Sequence, residues 1–128
     1  MTGNNVLLDT NIIIDFFRGD KKIVASLEQR QSVYTAAAVL GELYLGAYRS
    51  ANESKKLQEI KEFLLNCKVL PADSATAEKY AIVKTALLKK GKPIPENDIW
   101  IAATALQHGL PLYTNDRHFN EVDGIVLS

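Results

Sequence analysis

Short apolar runs alternate with amphipathic stretches along nearly the whole chain. Asn5-Val6-Leu7-Leu8-Asp9 reads as a short buried strand, and Thr10-Asn11 stand where a helix cap is needed before Ile12-Ile13-Ile14 and Phe16-Phe17. That helix is expected to end near Gly19, with another over residues 21–30. Ser32-Val33-Tyr34-Thr35 predicts a second strand leading into an Ala-rich helix over 36–49. Residues 53–66 put Leu57, Ile60, Phe63 and Leu64 on one face of an otherwise charged helix. Lys68-Val69-Leu70 is a third strand closed by Pro71. Residues 74–90 form a long helix with Ala77, Tyr80, Ala81, Leu87 and Leu88 expected inward.

Gly91-Lys92-Pro93-Ile94-Pro95 interrupts that helix, and the next runs from near Asn97 to about His108, ended by Gly109 and Pro111. Leu112-Tyr113-Thr114 is a fourth strand, and Ile125-Val126-Leu127 is expected to be a fifth. Short apolar strands separated by helices indicate an α/β fold with a mostly parallel sheet. No repeat, low-complexity tract or linker divides residues 1–128, so one domain is expected.

Composition narrows the class. The 128 residues are 47% hydrophobic and 23% charged, enough for a core without disulfide or metal staples. Cys67 is the single cysteine and is read as a small core residue, which suits a reducing cytoplasm. No apolar stretch has the length of a signal peptide or a membrane span. Fifteen basic residues balance fifteen acidic ones, which argues against a protein that coats nucleic acid by bulk charge. The charge is nevertheless segregated: residues 49–92 carry net +5 and residues 93–128 net −4. Lys55, Lys56, Lys61, Lys84, Lys89, Lys90 and Lys92 suit either RNA-phosphate contacts or solvated helix faces.

The informative acids lie within apolar sequence, where a lone carboxylate is rarely buried without a partner. Asp9 sits between Val6-Leu7-Leu8 and the Ile run. Glu42 is the only charged residue between Arg30 and Arg49. Asp98 opens the apolar segment Ile99-Trp100-Ile101-Ala102-Ala103, and Asp116 follows the fourth strand. Each has an ordinary local reading: a cap, a solvent-facing helix residue, a first-turn acid and a turn residue. Two of them follow the carboxyl ends of strands, the edge where open parallel sheets bind ligands. Four converging carboxylates need raised pKa values, basic partners or cations to offset their repulsion. Oxygen donors without a His or Cys cluster favour Mg2+ or Mn2+, and such sites serve phosphodiester chemistry. Asp15 is expected to turn outward.

These stretches resemble the motifs of a known family. Leu7-Leu8-Asp9-Thr10-Asn11-Ile12-Ile13-Ile14-Asp15 is similar to the opening motif of PIN-domain ribonucleases, particularly the VapC toxins of bacterial and archaeal toxin–antitoxin pairs. Ala38-Val39-Leu40-Gly41-Glu42-Leu43 resembles the second motif. Pro95-Glu96-Asn97-Asp98 with the helix Ile99–Ala105 resembles the third, and Leu112-Tyr113-Thr114-Asn115-Asp116-Arg117-His118-Phe119 the fourth. All four fall in the family's order across essentially the whole chain.

The resemblance implies a single PIN-like domain with about five short strands flanked by helices, acting as a metal-dependent endoribonuclease. Asp9, Glu42, Asp98 and Asp116 would be catalytic, with Asp9 and Asp98 the principal ligands of Mg2+ or Mn2+. Asn11 would hold the Asp9 loop, and Thr114 would add a hydroxyl. A homodimer and a small VapB-like antitoxin in the catalytic groove are implied as partners. The alternatives are a PIN-fold RNA- or protein-binding module with little cleavage, or a nuclease of this fold without toxicity.

Other patterns carry less. Gly41 and Gly46 have P-loop spacing, but Ala47-Tyr48 replaces the required Lys-Ser/Thr. His108 and His118 lack soft companions, so no zinc site is expected. Tyr44, Tyr48 and Tyr80 are expected in the core, with a dimer interface as the alternative. Trp100 either shapes a groove beside Asp98 or packs between helices.

Overall fold

In a computed structural model describing residues 4–128, strand β1 (Asn5–Leu8) lies inside a parallel sheet. It pairs with β2 (Ser32–Ala36) on one side and β4 (Leu112–Tyr113) on the other, and β2 pairs with β3 (Cys67–Leu70). The order is β3-β2-β1-β4. Val6, Leu7 and Leu8 are fully buried, as a central parallel strand with both faces covered requires. From β1 the chain builds the sheet one way to β2 and β3, then returns to add β4 on the opposite edge. The crevice at the carboxyl ends of β1 and β4 is therefore the topological switch point.

Among the described residues six α-helices flank the sheet: α1 (Thr10–Phe17), α2 (Lys21–Glu28), α3 (Ala37–Tyr48), α4 (Glu53–Phe63), α5 (Ser74–Lys90) and α6 (Glu96–His108). Helix α6 is apolar over most of its circumference, and Ile99 and Ile101 to Ala105 are all buried. Gly91 and Gly109 end α5 and α6 in the left-handed conformation, where a side chain would be strained. Cys67 is buried in β3, and burial pushes its thiol pKa up to about 12. No described helix is long and apolar enough to cross a membrane.

Three expectations are corrected. Residues 125–127 do not form a fifth strand; they contribute one parallel bridge, Leu112 to Leu127, flanked by Leu112 N–H donating to Val126 O at 2.8 Å. The two residues of β4 provide too short an edge to extend the ladder, and Val126 and Leu127 have no layer to bury them. On α5 the inward stripe is Thr76, Tyr80, Val83 and Leu87, whereas Ala77 and Ala81 are exposed and Leu88 is 63% exposed. Spacings of three and four residues define that face, and Leu88 lies a quarter-turn away from it. Tyr48 is exposed rather than in the core, while Tyr44 and Tyr80 pack at its margin.

Trp100 packs between helices. Its ring stacks on Tyr80 at a centroid distance of 4.2 Å and 17°, joining α6 to α5. Tyr80 also bonds Glu96, and Lys84 Nζ reaches Glu96 Oε2 at 2.9 Å.

Candidate active site

Asp9 follows β1 and caps α1. It is 3% exposed, and its Oδ1 accepts the Thr10 N–H at 2.8 Å. Its Oδ2 accepts from Thr114 Oγ1 at 2.6 Å and from Asn11 Nδ2 at 3.1 Å. The capping role visible in the sequence is therefore real, but it uses only one oxygen. The second is held by groups from both ends of the chain. Thr114 Oγ1 in turn accepts the Asp116 N–H at 2.9 Å, and Asn11 Oδ1 accepts the Asn115 N–H at 3.0 Å. These bonds tie the turn after β4 to the turn after β1.

Glu42 projects from α3, and its Oε1 accepts from Thr10 Oγ1 at 3.0 Å. Its pKa is raised, chiefly by loss of solvation, with repulsion from Asp9 and Asp98 adding and bonds from Thr10 and Asn97 opposing. Asp98 lies in the first turn of α6. Burial raises its pKa most, the charges on Asp116 and Asp9 raise it further, and His118 offsets part of the rise. The fold thus brings Asp9, Glu42, Asp98 and Asp116 into one electrostatic unit. Among the described residues, no Lys or Arg forms an ion pair with any of the four.

His118 is the residue that sequence reasoning missed. Its Nδ1 lies 2.9 Å from Asp98 Oδ2 and 3.0 Å from Asp116 Oδ1, and bonding to Asp98 is the main cause of its raised pKa. Asp116 caps the 3₁₀ turn Arg117–Glu121 by accepting the His118 N–H at 2.9 Å, and the fully buried Phe119 anchors that turn. The local signal was the Asp116-x-His118 spacing after a strand. The partnership with Asp98, twenty residues away, has no sequence signature.

Asp15 is not turned wholly outward: it is half-buried and its Oδ2 accepts from Asn115 Nδ2 at 3.3 Å. It supports the rim, while the main causes of the raised pKa of Glu42 and Asp98 lie in burial and with other groups. Glu42 also borders a cleft of about 400 Å³ with Phe17, Arg18, Lys55 and Lys56. Phe17 and Glu59 are shared with a second cleft of about 690 Å³ that reaches Phe16, Phe63 and Arg30. Of the other lysines, Lys84 and Lys90 are engaged by Glu96 and Asp123.

The donor set fits a divalent cation. Asp98, Asp116 and His118 each offer one ligand atom, all within 4.8 Å of one another. Asp9 and Glu42 add negative charge that a cation would relieve. Carboxylate oxygens with a single imidazole suit a hard or borderline ion.

Acidic side chains gathered at the switch point of a parallel sheet define the class, and the comparisons agree. The PIN domain family model matches residues 6–125, and the chain belongs to that family. It is 34% identical over 119 residues to Ribonuclease VapC2 of Haemophilus influenzae, covering 91% of this chain and 90% of that protein. It is 35% identical over 121 residues to Toxin FitB of Neisseria gonorrhoeae, covering 87% of each. Among solved structures, VapBC-1 from nontypeable H. influenzae superposes with a TM-score of 0.88 at 28% identity, covering 97% of this chain and 96% of that one. FitAcB from N. gonorrhoeae gives 0.85 at 35% identity, covering 96% of each.

Proposed function

We propose that this chain is a VapC-type endoribonuclease, dependent on Mg2+ or Mn2+ and acting as the toxin of a toxin–antitoxin pair. The observation that carries the reading is the convergence of Asp9, Glu42, Asp98 and Asp116 without a Lys or Arg partner. Carboxylates that crowd together with only one imidazole between them cost stability, and such clusters are found chiefly where a site uses them. The ribonuclease and toxin names of relatives covering most of the chain support the same reading.

Asp9 and Asp98 are the principal metal-holding side chains, and Asp116 completes the set. A bound divalent ion supplies acidity to water and stabilises charge on the phosphodiester in the transition state. Thr114 and Asn11 orient the Asp9 carboxylate through Oδ2, and Thr10 orients Glu42 through Oε1. Glu42 acts as general base, its carboxylate taking a proton from the attacking water as the water oxygen bonds to phosphorus and the P–O bond to the leaving oxygen breaks, that oxygen taking its proton from solvent. Lys55, Lys56 and Arg18 border the cleft that ends at Glu42 and suit phosphate contacts there.

The RNA is cut in the cytoplasm, where the lone, buried Cys67 remains reduced. A VapB-like antitoxin occupies the adjoining clefts that share Phe17 and Glu59, in keeping with the member of the VapBC family of toxin–antitoxin systems from Mycobacterium tuberculosis among the structural relatives. Exposed apolar residues on α3 (Leu45, Tyr48) and α5 (Ile82, Leu88) suit a homodimer.

Induced expression of wild type and Asp9→Asn, with sequencing of new RNA 5′ ends, tests the activity. New ends and growth arrest are expected only for wild type. Cleavage in excess chelator equal to that in Mg2+ or Mn2+ would overturn the metal requirement.

A further inference from the structure

We infer that His118 is itself a metal ligand, its Nδ1 joining Asp98 Oδ2 and Asp116 Oδ1 around the ion and biasing the site toward Mn2+ over Mg2+. The inference rests on the metal-dependent reading above and adds a residue that the acidic motifs do not contain. Its basis is geometric. Nδ1 lies 2.9 Å from Asp98 Oδ2 and 3.0 Å from Asp116 Oδ1. Adjacent ligands of an octahedral ion with bonds of about 2.1 Å stand about 3.0 Å apart, so these separations match ligands on neighbouring vertices. One donor atom from each of the three side chains lies within 4.8 Å of one from each of the others.

The surroundings fit this role. The His118 side chain is 50% exposed, so hydration or substrate oxygens can complete the coordination shell. The backbone that carries it is held by two supports: the Asp116 cap on its own N–H, and Phe119 buried immediately after it. Mg2+ prefers an all-oxygen shell and parts reluctantly with water, whereas Mn2+ accepts imidazole nitrogen readily. One nitrogen among carboxylates therefore shifts preference without excluding Mg2+.

The rival arrangement is an imidazolium bridging two carboxylates, in which His118 competes with the ion. Calorimetric binding of Mn2+ and of Mg2+ to the metal-free protein, compared among wild type, His118→Asn and His108→Asn, separates the two. Pulsed electron paramagnetic resonance of the Mn2+-loaded protein reads the ligand directly. Expected for wild type is a ¹⁴N coupling that changes when histidine is ¹⁵N-labelled. The coupling should persist in His108→Asn and vanish in His118→Asn. Mn2+ affinity should fall about tenfold or more in His118→Asn, with a clearly smaller loss for Mg2+. Bound Mn2+ without nitrogen coupling, or Mn2+ affinity unchanged or increased in His118→Asn, overturns the inference and leaves the metal-dependent nuclease standing. No metal binding by wild type overturns both.

Discussion

Thr114 Oγ1 donates to Asp9 Oδ2 across 2.6 Å, joining the end of the last strand to the end of the first. The same hydroxyl accepts the Asp116 N–H, so one side chain sets the positions of two acids from opposite ends of the chain.

Thr114→Val keeps the shape of the side chain and removes the hydroxyl. Asp9 Oδ2 loses its shortest bond and the Asp116 N–H loses its acceptor, at a cost of about 1–3 kcal/mol. Because the hydroxyl orients the carboxylate proposed to hold the metal, ribonuclease activity is expected to fall about 10–100-fold, while Thr114→Ser retains most of it. Denaturant unfolding beside a cleavage assay checks both halves. Equal activity in the Val variant would show that Asp9 needs no such support.

Glu42→Gln should separate stability from catalysis. The amide oxygen can still accept from Thr10, but the charge that loses solvation and faces Asp9 and Asp98 is gone. The metal-free stability should therefore hold or rise, by up to about 1 kcal/mol, the scale of a single stabilising substitution at a functional site. Cleavage should drop about 10²–10⁴-fold as the proposed general base is lost. A marked loss of stability with activity intact would reverse the assignment.

In chelator, stability should decline as pH rises from 5 to 8. Glu42 and Asp98 have folded pKa values above their ordinary 4.5 and 3.8, and His118 lies above its ordinary 6.5. Each group binds its proton more tightly when folded. Its contribution is therefore complete below the ordinary value and is lost as pH climbs through the raised one. Asp73 and Glu96 shift downward and act with the opposite sign, but only below their ordinary 3.8 and 4.5, outside this range. Thermal melts across the range should show falling midpoints, with recovery on adding Mn2+. Midpoints that climb steadily toward pH 8 in chelator would contradict the electrostatic account.

Phe119→Ala should cost about 3–5 kcal/mol, because the ring is fully buried and leaves a cavity. The turn it anchors carries Asp116 and His118, so metal affinity should weaken even where the fold persists. Denaturant unfolding with Mn2+ titration tests this; a loss below about 1 kcal/mol would mean the turn is held by its hydrogen bonds alone.

How far the sequence could be read depended on the range of the forces involved. Val6-Leu7-Leu8 announced a buried strand because three consecutive apolar side chains need both faces covered, and all three are buried. Asp9 could be identified as a cap, since its bond to the Thr10 N–H spans one residue. By contrast, Leu88 looked core-like on composition and is exposed, because the rotation of α5 is set by α6 across the Tyr80–Trp100 stack. His118 looked like an isolated imidazole because its partner Asp98 belongs to another element.

From its order of residues alone, the chain determined the elements, their parallel sheet and the acids worth watching. Local backbone preferences and apolar periodicity act over a few residues, and motif resemblance covered the rest. Tertiary structure decided what those acids are to one another: Asp9 held by Thr114, Glu42 and Asp98 deprived of solvent together, and His118 drawn between Asp98 and Asp116. Such charges interact through space and through burial, and neither is written into sequence separation. Pairing of β1 with β4, and the packing of α3 against α6, bring these groups within reach.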